Sequence, residues 1–297
     1  MQLTKLKTEK SNRASANLDA MNALQIASLM NRQDAMVPRA VKRILPQVAQ
    51  AIDLIAQKLA GGGRLIYVGT GTSGRIGALD AAEIPPTFGT NPKMTQFVMA
   101  GGERALARAT EASEDSSALG RLDMAARKPR KADVVVGIAA SGRTPYTIGA
   151  LEYARKKGAA TIAVVCNHGS KLARIAQVAI EVDVGPEVLT GSTRLKAGTA
   201  QKLICNMLST GAMARLGYVY GNLMVNLRAR NKKLFERAVS IVEQVAQVDR
   251  DLAARTLESA GMQVPLALLM LTANLSKREA KVRLKSTSGI VRKALKS

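Results

Sequence analysis

Tryptophan is missing from this 297-residue chain, histidine occurs once, and three Phe with five Tyr bring aromatic residues to only 3%. The core must therefore be aliphatic, and the stacking surfaces that hold single-stranded nucleic acid have few side chains to be made from. Two cysteines, Cys166 and Cys205, give neither a disulfide framework nor a metal-ligand spacing. They read as buried, inert thiols. No apolar run reaches the roughly 18 residues of a membrane span, and the opening MQLTKLKTEKSNRASANLD lacks the apolar region of a secretion signal. A cytoplasmic protein without membrane contact is expected. Acid is also scarce: 22 Asp and Glu face 44 Lys and Arg, a net charge of +22. Such a balance suits a polyanion or an anionic substrate. Because the basic clusters RARNKK (228–233) and the tail from Lys277 carry no nucleic-acid signature, nucleic acid is set aside as a partner.

What is abundant is aliphatic residues in two rhythms. Residues 15–60 follow helical spacing, with Ser15 or Asn17 as the expected first cap and Gly61-Gly62-Gly63 as the stop. Short apolar runs then take over at 64–69, 95–100, 133–140, 161–166 and 178–184, separated by helical stretches at 73–83, 103–127, 145–157 and 170–176. Nearly continuous apolar strands are those covered on both faces. The expected fold is α/β: a three-layer sandwich around a mostly parallel five-stranded sheet, flavodoxin-like or Rossmann-like, whose ligands bind beyond the carboxyl ends of the strands. After a long helix at 196–217, five short helical segments predict a small all-helical domain. The expected division is 1–60, 61–235 and 236–297.

The loop GTGTSGR (69–75) fits the G-x-G-x-x-G spacing of a dinucleotide site. Its test is a carboxylate about 20 residues on, at the end of the second strand. The relevant stretch GTNPKMTQFVMAGG carries no carboxylate, the next being Glu103 beyond the strand, so a nicotinamide cofactor is not expected. What remains is a phosphate cradle, in which Gly71 allows close approach, helix N-terminal N–H groups point at the anion, and Thr72 and Ser73 add hydroxyls. Ordinary helix capping by the same hydroxyls is the plainer alternative. The device recurs after the third strand as Ser141-Gly142-Arg143-Thr144, with Pro145 at a suitable first helical position. Two such turns on one sheet edge favour a phosphorylated ligand. A third loop, GPEVLTGSTRLKAGT (185–199), offers Glu187, Ser192 and Lys196 for a sugar or its phosphate, or is simply a capped rim.

The doubled Ser-Gly-Arg turns resemble the sugar isomerase (SIS) family of phosphosugar-binding domains. Within it, GTGTSGRIGALDAAEIPPTFGT, AGGERALARATEASEDS, GIAASGRTPYTIGALEYA and EVLTGSTRLKAGTAQKLICNMLSTGAM together resemble the N-acetylmuramic acid 6-phosphate etherases. The resemblance runs from the opening residues into YGNLMVN. It implies cleavage of a D-lactyl ether to give N-acetylglucosamine 6-phosphate and D-lactate in the recycling of cell-wall sugars, without metal or other cofactor, by a homodimer. It also implies two catalytic glutamates, Glu83 in AAEIPPT and Glu114 in EASEDS. Glu83 is expected to protonate the leaving lactate and later to activate water, and Glu114 to take the proton from C2. From spacing alone Glu83 reads first as a helix end before Pro85-Pro86, and Glu114 as a solvated surface acid among Glu111 and Asp115.

The phosphate is expected at Gly71, Thr72, Ser73, Ser141, Gly142 and Thr144, with Arg75 and Arg143 left open. His168 reads as a turn residue. The chain departs from the family where Ile84 stands in place of a common cysteine, and where VNLRARNKK is basic at or near Asn226 and Lys232, positions usually acidic in relatives. A sugar-phosphate sensor without catalysis and a phosphosugar isomerase are the alternative functions. The terminal helical domain is expected to be UBA-like.

Overall fold

A computed structural model describes residues 7–108, 113–227 and 232–296. The chain forms two compact units. One comprises the described residues up to Ala82 together with Lys93–Ser209, and the other comprises Glu83–Pro92 and the described residues from Thr210 onward.

The first unit holds five parallel strands, β1 (Leu65–Gly69), β2 (Thr95–Met99), β3 (Val134–Ala139), β4 (Ala160–Val165) and β5 (Val178–Glu181), in the order β2-β1-β3-β4-β5. This is the doubly wound order in which the chain reverses direction between β1 and β3, leaving a crevice at their carboxyl ends. Side chains alternate across the sheet. Ile66, Val68, Val135 and Ala163 share one buried core with Tyr146, Leu151 and Leu172. Those three come from α6 (Pro145–Lys156) and α7 (Lys171–Ile175), and Met124 joins them from α5 (Ser117–Ala126). On the other face a methyl placed on Gly77 would stand 2.9 Å from Tyr67 Cβ, so α4 (Gly71–Phe88) lies directly on β1. The continuous apolar strands thus meet cover on both faces, as their composition requires.

Ahead of the sheet come α1 (Ala23–Asp34), α2 (Val37–Lys42) and α3 (Leu45–Ala60), preceded among the described residues by three single 3₁₀ turns. The first α-helix is capped neither by Ser15 nor by Asn17, as expected from the sequence, but by Asn22. Its side chain accepts from Gln25 N while the Gln25 side chain accepts from Asn22 N, a reciprocal pair that satisfies two orphan donors. At the base of the sheet Asp133, completely buried, accepts from Arg64 N (2.9 Å), Arg64 Nη2 (2.6 Å) and Arg130 N (3.0 Å). Burial pushes this carboxyl up, but the Arg64 and Arg130 donors outweigh it and hold it below the usual range.

Two helices differ from their expected spans. The stretch 103–127 is not one helix: a 3₁₀ turn covers Gly102–Leu106, and α5 starts only at Ser117. Ser116 takes an extended conformation and caps α5 by accepting from Leu119 N, which stops the helix from reaching back to Glu114. α4 does not end at Glu83 but runs through Pro85 and Pro86 to Phe88. Proline interrupts a helix by removing a donor. Here Gly89 N still closes on Pro85 O (2.9 Å), and Ile84 and Phe88, four residues apart, are both buried.

α8 (Lys196–Arg215) begins in the first unit. Asp80 of α4, 5% exposed, accepts from Tyr67 OH (2.7 Å), Ser209 Oγ (3.0 Å) and Asn206 Nδ2 (3.1 Å), tying α4 to β1 and to α8. Burial pushes this carboxyl up, and the three donors oppose that shift. The second unit carries α9 (Lys232–Ala246), α10 (Arg250–Ser259), α11 (Val264–Thr272), α12 (Lys277–Ser286) and α13 (Val291–Ala294). Val239, Leu257, Leu268 and Ala280 build its core, which Val225 and Leu227 also enter. Of the basic cluster 228–233, the residues 228–231 lie outside those described. No helix among the described residues is long and apolar enough to cross a membrane.

Candidate active site

β1 and β3 are parallel neighbours with Gly69 beside Ile138, so the turns that follow them leave the sheet side by side at its carboxyl edge. In the first turn Gly74 N closes on Thr70 O (2.9 Å), and Gly71, at φ +48°, opens α4. The leading N–H groups of that helix lie outside its own ladder and face whatever binds there. Ser73 Oγ, in the first helical turn, donates to Gln201 Oε1 (3.0 Å). Gly198 brings the start of α8 close to the same turn: a methyl in its place would stand 3.4 Å from Thr72 Cγ2.

The second turn is shaped by its own residues. Ser141 Oγ accepts from Arg143 N (3.2 Å). Gly142 sits at φ +64°, and a methyl on it would fall 2.2 Å from Ser170 Oγ, so only glycine fits. Thr144 occupies the N-cap of α6, yet its side chain makes no capping bond, and Pro145 follows in the first turn. The Thr144 hydroxyl is thus not consumed by the helix it precedes.

Glu114 reaches this edge from the segment before α5. Its backbone carbonyl accepts from Tyr146 N (3.0 Å) in the first turn of α6, and its Oε1 would stand 3.2 Å from a methyl on Gly71. The carboxylate therefore lies against the first turn while its backbone is pinned to the helix after the second. Glu83 is on α4, in its C-terminal third, with an exposed side chain.

Other expected site residues lie elsewhere. Glu187 is fully buried, and its two oxygens accept from Lys196 N and Ala197 N (2.9 Å each), making it the anionic cap of α8. Burial pushes its carboxyl up against those two bonds. Lys196, 1% exposed, donates from Nζ to Gln33 Oε1 (3.1 Å), and burial lowers its basicity. Glu187 thus uses both oxygens to hold the third loop, and Lys196 uses one of its three Nζ donors on Gln33. Ser192 stays half-exposed in a turn where its N–H meets Leu189 O (3.0 Å). Arg75 Nε donates to Leu106 O (3.1 Å), away from the cradle. His168 is in the turn after β4, with Nδ1 3.8 Å from Glu181 Oε2. Cys166 and Cys205 are free and buried, and burial pushes both thiols up. Gln201 was missed by sequence reasoning. Its only signal is its place on α8, one turn beyond the polar loop.

Curated relatives match nearly the whole chain. An N-acetylmuramic acid 6-phosphate etherase of Burkholderia lata is 54% identical over 295 residues, covering 99% of this chain and 97% of that protein. One of Klebsiella aerogenes is 50% identical over 293 residues, with 99% and 98% covered. This chain belongs to the N-acetylmuramic acid 6-phosphate etherase family. Consistent with that etherase membership, the SIS domain family matches residues 106–210, and the glucokinase regulatory protein N-terminal SIS domain matches 47–155. The C-terminal lid domain of glucokinase regulatory protein matches 221–262. Solved structures share the fold. A protein of E. coli CFT073, solved as a ligand complex, superposes with a TM-score of 0.50 at 21% identity, covering 68% of this etherase-family chain and 97% of that one. A phosphoheptose isomerase from Francisella tularensis gives 0.50 at 19% identity, with 65% and 98% covered.

Proposed function

We propose that the protein cleaves the D-lactyl ether of N-acetylmuramic acid 6-phosphate, yielding N-acetylglucosamine 6-phosphate and D-lactate in cell-wall sugar recycling. The observation that carries this reading is identity of about half the residues across the full length of the etherases. The paired hydroxyl-bearing turns supply what a phosphate needs: the Gly71 and Gly142 backbones with the Thr72, Ser73, Ser141 and Thr144 hydroxyls. Ser192 is assigned to the rim that meets the sugar.

The chemistry sets the remaining requirements. A proton leaves C2 readily only when the ring is open and C1 is an aldehyde. The C3–O bond then breaks, the ether oxygen departs with lactate and takes a proton, and the C2–C3 double bond forms. Water adds back, its hydroxyl going to C3 and a proton to C2, so the net change is hydrolysis. One group must hold a proton while the other lacks one. Glu114 is assigned as the base at C2, since its carboxylate is held against the phosphate turn. Glu83 is assigned as the acid that protonates lactate and then activates water. The enzyme is proposed to act in the cytoplasm, where a reducing environment suits two buried free thiols.

Glu83→Gln and Glu114→Gln should each reduce D-lactate release by at least about a thousandfold, of the order of a lost general acid or base, while phosphate binding persists. Full lactate release from either variant would overturn its assignment. A purified protein that binds hexose phosphates but releases no lactate would point to a sensor.

A further inference from the structure

Gln201 is 1% exposed, and its two polar atoms differ in fate: Oε1 accepts from Ser73 Oγ at 3.0 Å, whereas Nε2 is buried with no hydrogen-bond partner. A buried amide donor without an acceptor is a cost that native proteins retain only for a reason. The arrangement also spends the Ser73 proton on Gln201, although Ser73, in the first turn of α4, is one of the hydroxyls that can donate to an anion there. A half-turn of the amide exchanges its two ends without changing its shape. Nε2 then donates to Ser73 Oγ, the unpartnered end of the amide becomes its oxygen instead of its donor, and the Ser73 proton is released toward the ligand.

We propose that Gln201 is a positioning residue for phosphate, acting through Ser73: when phosphate binds, its amide turns, donates to Ser73 Oγ and aims the serine proton at a phosphate oxygen. This rests on the reading of the first turn as a phosphate cradle. The two-bond chain is stronger than either bond alone, because a hydroxyl that accepts a hydrogen bond donates a better one. It also fixes a hydroxyl rotor that would otherwise have to be ordered on binding. The rest of the environment supports a purely local role. The neighbouring Gly198 leaves room for Thr72, and the polar network of α8 around Asp80, Asn206 and Ser209 lies one to two turns further along.

The test is a double-mutant cycle read by calorimetric titration of the full-length protein with inorganic phosphate. Gln201→Met keeps the volume and removes both polar atoms. It should weaken phosphate binding about fivefold to tenfold, the value of one neutral hydrogen bond. Ser73→Ala should weaken it at least as much, and the double variant should be no weaker than Ser73→Ala alone, since Gln201 has nothing left to act through. Losses that multiply in the double variant, or a Gln201→Met protein that binds like the wild type, would overturn the proposal. Unchanged binding in Ser73→Ala would instead overturn the cradle itself, and this proposal with it. If the Met variant does not fold, Gln201→Glu serves. Ionised, it accepts from Ser73 and repels the anion; protonated, it can donate. Its deficit relative to wild type at the same pH should therefore shrink as pH falls, and a deficit independent of pH would count against the proposal.

Discussion

Residue by residue, burial divides the polar groups of the first unit into those that hold shape and those that stay available. Glu187 and Lys196 look like ligands in the sequence, because a loop rich in Glu, Ser, Thr, Arg and Lys is what a phosphosugar site needs. The tertiary fold buries both: Glu187 caps the start of α8, and the Lys196 ammonium bonds Gln33 of α1. Asp133 makes the same point with a measurable consequence. Its folded-state acidity is raised by Arg64 and Arg130, so the unfolded chain binds its proton more readily. The stability it contributes is complete above the ordinary carboxylate range, near pH 4, and is lost as pH falls through its lower folded-state value. Replacing Asp133 by Asn should cost about 3 kcal/mol at pH 7, within the range for breaking one side of a buried pair. Urea unfolding at pH 7 and at pH 3 should show this gap closing in acid, and a gap that widened there would contradict the assignment.

Between residues and fold, close approach of helices sets where Glu114 can be. α5 and α6 touch through two glycines. A methyl on Gly120 would stand 2.0 Å from Tyr146 O, and one on Gly149 2.2 Å from Ser117 O. The Tyr146 amide, one bond system away from that contact, holds the Glu114 carbonyl. Gly120→Ala should therefore do two things at once. It should destabilise the protein by about 2–3 kcal/mol, as overpacking does, and it should lower kcat for lactate release, because the Tyr146 backbone that holds the Glu114 carbonyl is displaced. Thermal unfolding and steady-state kinetics on one preparation measure both; a stability loss with unaltered kcat would separate Glu114 from the α5–α6 contact. The same elements show why the sequence misplaced the start of α5: helix-forming residues before Ser116 obey local propensity, but the cap at Ser116 and the long-range bond to Tyr146 are decided by packing.

At the scale of the whole molecule, the described surface exposes large apolar side chains, among them Leu24, Leu79, Leu122 and Leu189 on the first unit. Scattered, they are ordinary; in a family expected to pair they are candidates for burial in a homodimer. Light scattering at micromolar concentration should return about twice the 31.5 kDa chain mass, and only monomer at that concentration would refute the pairing. Local apolar rhythm, glycine placement and capping residues suffice to encode the α/β class, the five strands, the two hydroxyl turns and the helical C-terminal region. The sequence also carried the family, through long uninterrupted motifs. Which polar side chains are buried and which neighbours they meet depends instead on long-range packing. Glu187 and Lys196 were buried, Glu114 was set against Gly71, and Gln201 was brought to Ser73 across 128 residues of chain. Availability depends on what else in the fold competes for a side chain's hydrogen bonds and for its water, and neighbours distant in sequence settle that competition.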